Sequence, residues 1–161
     1  MSDGSNTCIR IASESKAGWK KLSSRSTGKS GSDFLEMILD TNALSAAADD
    51  DPSLTAILSR VEQMALPVIV LGEYRHGIAQ SRHRTSYENW LQELLNDCLV
   101  LDIQEPTTHH YAEISLELKR KRKPIPTNDL WIAALCRQHS LPLLSRDLHF
   151  DLVAGIKRIG W

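Results

Sequence analysis

From Met37 to the end of this 161-residue chain, short apolar runs alternate with longer stretches of helical spacing, and that alternation narrows the fold more than any other feature. MIL at 37–39, PVIVL at 67–71 and LPLLS at 141–145 read as buried strands. Leu99 to Ile103 fits a strand or a helix end, its alternation favouring a strand, and Ile156 to Ile159 fits a last, edge strand. Between them, helices are expected from about Asn42 to Ala48, after Asp51 and Pro52, around Glu73, and through Tyr87, Leu91, Leu94 and Leu95. Two more are expected from Pro106 to about Lys121 and from Asp129 to His139. Strands that alternate with helices imply a parallel sheet covered on both faces. Function in such sheets gathers at the carboxyl ends of the strands, at a topological switch point.

Four acids stand where these elements end or begin. Asp40 follows the first apolar run, Glu73 lies just past the second, Asp147 follows the run at 141–145 by two residues, and Asp129 opens the helix DLWIAALC. In a parallel sheet at least three of them converge on one edge. Carboxylates held together repel one another unless a cation or protons neutralise them. A hard divalent ion such as Mg²⁺ is the natural partner, since it takes oxygen ligands and keeps several waters. The histidines and cysteines are not spaced as a zinc cluster. A cation at an open edge polarises a phosphate and acidifies water. The competing reading makes each acid a helix cap. For Asp129 and Glu73 the two readings balance; Asp40, followed by Thr41 and Asn42, leans towards a ligand. Asp49, Asp50 and Asp51 read as a solvated loop, and Asp102 as facing solvent.

Composition excludes some classes. The length suits one domain. A net charge of −1 makes the chain no polycation, although an acidic site and a basic patch cancel in such a sum. Three cysteines, Cys8, Cys98 and Cys136, suggest no disulfide framework and fit a reducing cytoplasm, with Cys98 and Cys136 as small core residues. No run is long enough to span a membrane, so no membrane partner is expected. Residues 1–36, rich in Ser, Gly and Lys, read as a poorly ordered extension. Gly28, Lys29 and Ser30 are set aside as a phosphate loop, because the earlier glycine would fall at Ser23.

MILDTNALS at 37–45, LGEYRHG at 71–77, PIPTNDLWIAALC at 124–136 and LPLLSRDLHF at 141–150 together resemble the successive motifs of PIN-domain nucleases, most of all VapC-type toxins of toxin–antitoxin pairs. The resemblance covers 37–161. It implies a three-layer α/β/α fold with a mostly parallel central sheet, and acids that bind Mg²⁺, or Mn²⁺, to hydrolyse RNA phosphodiester bonds. By motif, Asp40, Glu73, Asp129 and Asp147 match the family's acidic set, with Asp40 and Asp129 the foremost ligands and Asp151 an alternative to Asp147. Thr41, Asn42, Asn128 and Ser145 would orient these acids and their waters. The resemblance also implies a cognate antitoxin and a homodimer, with the apolar surface of the first helices serving dimerisation or partner binding. Such toxins usually begin at the residue matching Met37. The first 36 residues are therefore expected to come from a start site placed too early, and a native product beginning at Met1 in a mass spectrum would contradict that.

Outside the acids, the run KRKRK at 119–123 suits a solvated helix end or, through Lys121 and Lys123, RNA phosphates. Arg146, beside Asp147, is a candidate for substrate contact, whereas Arg75, Arg82 and Arg84 fit either role. The six histidines suggest no site; His149, near Asp147, fits substrate contact, but packing is the expectation for it. Trp90 and Trp131 are expected in the core; Trp161 has no assignment. Two other functions fit less well. A phosphotransfer or receiver-like domain needs an acidic partner beside Asp40 and a late Lys, where this chain has Asn42 and Arg146. A non-catalytic PIN-fold binding module would not need the acids.

Overall fold

The computed structural model describes residues 36–161. The extension and the phosphate-loop remnant at 28–30 lie outside them, except Glu36, which already belongs to the first strand. Five strands form one sheet: β1 (Glu36–Leu39), β2 (Gln63–Pro67), β3 (Cys98–Leu101), β4 (Leu143–Leu144) and β5 (Arg158–Ile159). Their spatial order is β3-β2-β1-β4-β5, and every pairing is parallel. Met37, Ile38 and Leu39 alternate sides of the sheet, yet each is 0% exposed, so both faces of the central strand are covered.

The covering helices are α1 (Thr41–Ala48), α2 (Pro52–Leu58), α3 (Val68–Ile78), α4 (Arg84–Leu95), α5 (Glu105–Arg120) and α6 (Thr127–His139); a 3₁₀ turn spans Leu148–Leu152. Helix α6 is the most buried, with Ile132 through Cys136 all inside. It packs along α5. It ends at Ser140, whose φ of 55° places it in the left-handed region that commonly closes helices.

One element differs from the sequence expectation. PVIVL at 67–71 is not the second strand: the strand is QMALP at 63–67, and Val68 already begins α3. A short β-branched run fits a buried strand or the start of a buried helix equally well by pattern. Pro67 settles it by placement, as the last residue of the strand and the residue flanking the helix start. The strand at 141–145 shrinks to Leu143–Leu144, and the ambiguous segment at 99–103 is the strand β3.

The chain runs from β1 outward to β2 and β3, then returns to the other side of β1 for β4. The switch point therefore lies between β1 and β4, and crossovers leave a crevice at their carboxyl ends. Asp40 and Ser145 are the residues that follow those two strands.

Candidate active site

Asp40 is buried, and both of its carboxylate oxygens accept hydrogen bonds. Its backbone N–H donates to Leu144 O of the adjacent strand at 3.1 Å, which fixes the side chain over the crevice. One carboxylate oxygen caps α1 by accepting from Thr41 N–H at 2.7 Å. The other accepts from Asn42 Nδ2 at 2.7 Å and from Ser145 Oγ at 2.6 Å. The Asn42 amide spans the switch point, because its Oδ1 accepts from Arg146 N–H at 3.1 Å. Ser145 Oγ in turn accepts from Asp147 N–H at 2.9 Å. Two chain segments a hundred residues apart are thus tied into one polar network around Asp40. Burial, then Glu73 and Asp147 nearby, push the Asp40 carboxyl above its usual range, against the donors from Ser145 and Thr41.

Glu73 lies in the middle of α3, not at a cap. The Thr41 hydroxyl donates to one of its oxygens, and Asn128 Nδ2 donates to the other at 2.6 Å. Thr41 and Asn128 therefore hold this side chain between α1 and α6.

Asp129 sits on the first turn of α6 but is not its cap, since Pro126 holds that place. Its Oδ2 is buried without a hydrogen-bond partner. The Asp129 carboxyl is pushed up to about 6, first by burial and then by the charges of Asp147 and Asp40, with His149 opposing the rise. Asp147 caps the 3₁₀ turn through His149 N–H at 2.9 Å. Capping therefore accounts for part of the roles of Asp40 and Asp147 and for neither Glu73 nor Asp129.

His149 departs from its expected packing role. Its side chain is half exposed, and its Nδ1 lies 3.1 Å from Asp147 Oδ1 and 3.4 Å from Asp129 Oδ2. One ligand atom each from Asp129, Asp147 and His149 fit within 4.8 Å of one another. Among the described residues, no group of three possible metal ligands that tight includes Asp40 or Glu73. Those two join through the shared hydrogen-bond network and through their charges.

Asp151, the alternative to Asp147, turns away: it makes a paired contact with Arg158 at 2.7 and 2.8 Å, which holds its carboxyl below the usual range. The Arg146 guanidinium is engaged by Asp51 at 2.7 Å and stacks over the Trp161 ring at 4.4 Å. Trp161 Nε1 also donates to Asp51, at 3.3 Å. Asp51, read as solvated loop, therefore caps α2 and anchors Arg146 and the terminal Trp. Lys121 and Lys123 are exposed just past α5. Arg75 pairs with Glu88 at 3.6 Å. Trp90 and Trp131 are half-buried beside Tyr74 and Tyr111 respectively.

The donor set suits a hard or borderline divalent ion. A buried carboxylate oxygen without a partner, beside a second carboxylate, is costly in water-poor surroundings and is relieved by a cation. The atoms that come together there are carboxylate oxygens and one imidazole nitrogen, with no thiolate among them, which does not suit a thiolate-bound zinc site.

Comparison with known proteins gives a consistent set of likenesses. The model of the PIN domain family matches residues 37–156. The chain is 30% identical over 133 residues to Ribonuclease VapC2 of Haemophilus influenzae, covering 80% of this chain and 99% of that one. It is 31% identical over 122 residues to Toxin FitB of Neisseria gonorrhoeae, covering 69% and 87%. Among solved structures, the fold resembles VapBC2 of Rickettsia felis bound to a promoter DNA fragment, with a TM-score of 0.71 at 23% identity, over 78% of this chain and 98% of that one.

Proposed function

The chain belongs to the PIN domain family, and from that premise we propose that it is a divalent-metal-dependent endoribonuclease, the toxin of a toxin–antitoxin pair. The named relatives support the activity: one is a ribonuclease and another a toxin. The observation that carries the metal dependence is Asp129, whose buried oxygen makes no hydrogen bond and faces His149 Nδ1 at 3.4 Å, while burial, then Asp147 and Asp40, press its carboxyl up to about 6.

Asp40, Glu73, Asp129 and Asp147 would hold Mg²⁺ or Mn²⁺ at the switch point. When bound, the ion supplies Lewis acidity to the phosphodiester and acidifies the attacking water. The remaining work falls to the chain. Asn42, Ser145 and Thr41 N–H favour the ionised form of Asp40, against its burial, and aim it by donating three hydrogen bonds to it. Thr41 and Asn128 fix Glu73. The reaction forms a bond from water oxygen to phosphorus and breaks the bond to a sugar oxygen, which leaves with a proton. Lys121 and Lys123 would contact RNA phosphates along the approach, and the Arg146 side chain would reach them only by leaving Asp51.

A cognate antitoxin would inhibit by covering the acidic crevice, with an Arg side chain inserted among the carboxylates. The likeness to Toxin FitB and to the solved FitAB complex supports a partner protein. A homodimer and action in the cytoplasm complete the reading; among the described residues no helix is long and apolar enough to cross a membrane. The test is to incubate the purified chain with structured RNAs in Mg²⁺ and in chelator. Cleavage in Mg²⁺ that stops in chelator is expected; cleavage equal in both, or none with any RNA and either ion, overturns the reading.

A further inference from the structure

Among the described residues, His149 is the one ionisable ring placed inside the acidic cluster, and the carboxylate chemistry described so far leaves it without a task. Its neighbours define that task. The Nδ1 atom stands 3.1 Å from Asp147 Oδ1 and 3.4 Å from Asp129 Oδ2. Two ligands at about 2.1 Å from a six-coordinate ion, at right angles, lie about 3 Å apart, so these are spacings of adjacent ligands around one small divalent ion. The local backbone fixes the ring there: His149 N–H donates to Asp147 Oδ1 at 2.9 Å, so the cap of the 3₁₀ turn places the acid and the imidazole together. Phe150, the next residue, is buried and anchors that turn in the core. Asp129 Oδ2, facing the ring from α6, has no hydrogen-bond partner.

We propose that His149 Nδ1 is a metal ligand with Asp129 and Asp147, giving the site one nitrogen among its oxygens and shifting its preference from Mg²⁺ towards later first-row ions. This rests on the metal-dependent reading above and specifies which ion that site takes. The chemistry follows from ligand type. All-oxygen sites suit Mg²⁺, whereas imidazole suits the first-row transition ions, whose affinity rises from Mn²⁺ through Co²⁺ to Ni²⁺. The ring is half exposed, so replacing it leaves the core intact.

The test is calorimetric titration of the untagged full chain with Mg²⁺ and, separately, Co²⁺, for wild type, His149→Ala and Asp129→Asn. Pulsed electron paramagnetic resonance of bound Mn²⁺ gives a readout independent of activity. His149→Ala is expected to weaken Co²⁺ about tenfold or more, to change Mg²⁺ by less than about threefold, and to remove a nitrogen coupling seen in wild type. Equal losses for both ions, unchanged Co²⁺ affinity, or no nitrogen coupling in wild type would overturn the proposal. If wild type lacks the coupling but still loses Mg²⁺ binding in Asp129→Asn, only the histidine ligand fails. If neither ion binds wild type, the metal-dependent nuclease reading fails with it.

Discussion

At Asp129 a single carboxyl carries much of the site's electrostatic strain. Burial, with Asp147 and Asp40 behind it, raises its pKa from 3.8 to about 6, so the folded chain keeps this proton where the unfolded chain has lost it. The stability contributed is therefore complete below about pH 4 and is lost as pH rises through about 6. Asp40 shifts in the same direction and adds to the loss. Metal-free protein is thus expected to resist urea better at pH 5 than at pH 7.5 as far as these groups are concerned. Asp129→Asn should stabilise it at pH 7.5 by roughly 1–3 kcal/mol, since the asparagine carries no charge into the cluster. Urea denaturation of both proteins at the two pH values measures this; a variant less stable than wild type at pH 7.5 would contradict the assigned strain. Asp40, Asp129 and Asp147 were legible as candidates, because each follows or opens an apolar element; Glu73 was read as following a strand at 67–71, a segment that is largely the start of α3. His149 was not legible: one histidine in an unremarkable turn reads as packing until the turn's geometry places its ring between two carboxylates from separate segments. The partnership of Arg146 with Asp51 and Trp161 was hidden for the same reason, since it joins residues 110 positions apart.

Among the elements, those with long, regular apolar spacing were readable to within a residue or two, α5 and α6 most clearly. The shift of β2 to 63–67 shows where pattern fails. Met64 to Leu71 is an unbroken apolar run, so polarity marks no boundary between strand and helix. Strand β4 has only two residues, too few for any period to register. Helix termini carry their own anchors. Thr107 is buried at the start of α5; its hydroxyl accepts from Gln104 N–H at 3.1 Å and donates to Gln138 Oε1 of α6 at 2.6 Å. Thr107→Val keeps the volume and removes both bonds. It should cost about 1–3 kcal/mol, because a cap is lost and the Gln138 oxygen loses its donor. A thermal or urea midpoint unchanged from wild type would show that this link between the two helices is idle.

For the molecule as a whole, the parallel sheet and its strand order explain why four acids distant in sequence share one crevice. Asp40 follows β1, Asp147 lies beyond β4, and Glu73 and Asp129 stand on α3 and α6. A crossing of the chain from one side of β1 to the other creates the opening they line. This cluster does not exist in the unfolded chain, so an ion that binds it must stabilise the fold, by about 2.7 kcal/mol when present at roughly 100 times its dissociation constant. The decisive measurement is the melting temperature of the protein in chelator and in saturating Mg²⁺ or Mn²⁺ at pH 7.5, for wild type and for Asp129→Asn. Wild type should melt several degrees higher with the ion, and the variant should gain little. A wild type indifferent to both ions, or a variant that gains as much as wild type, would contradict the account.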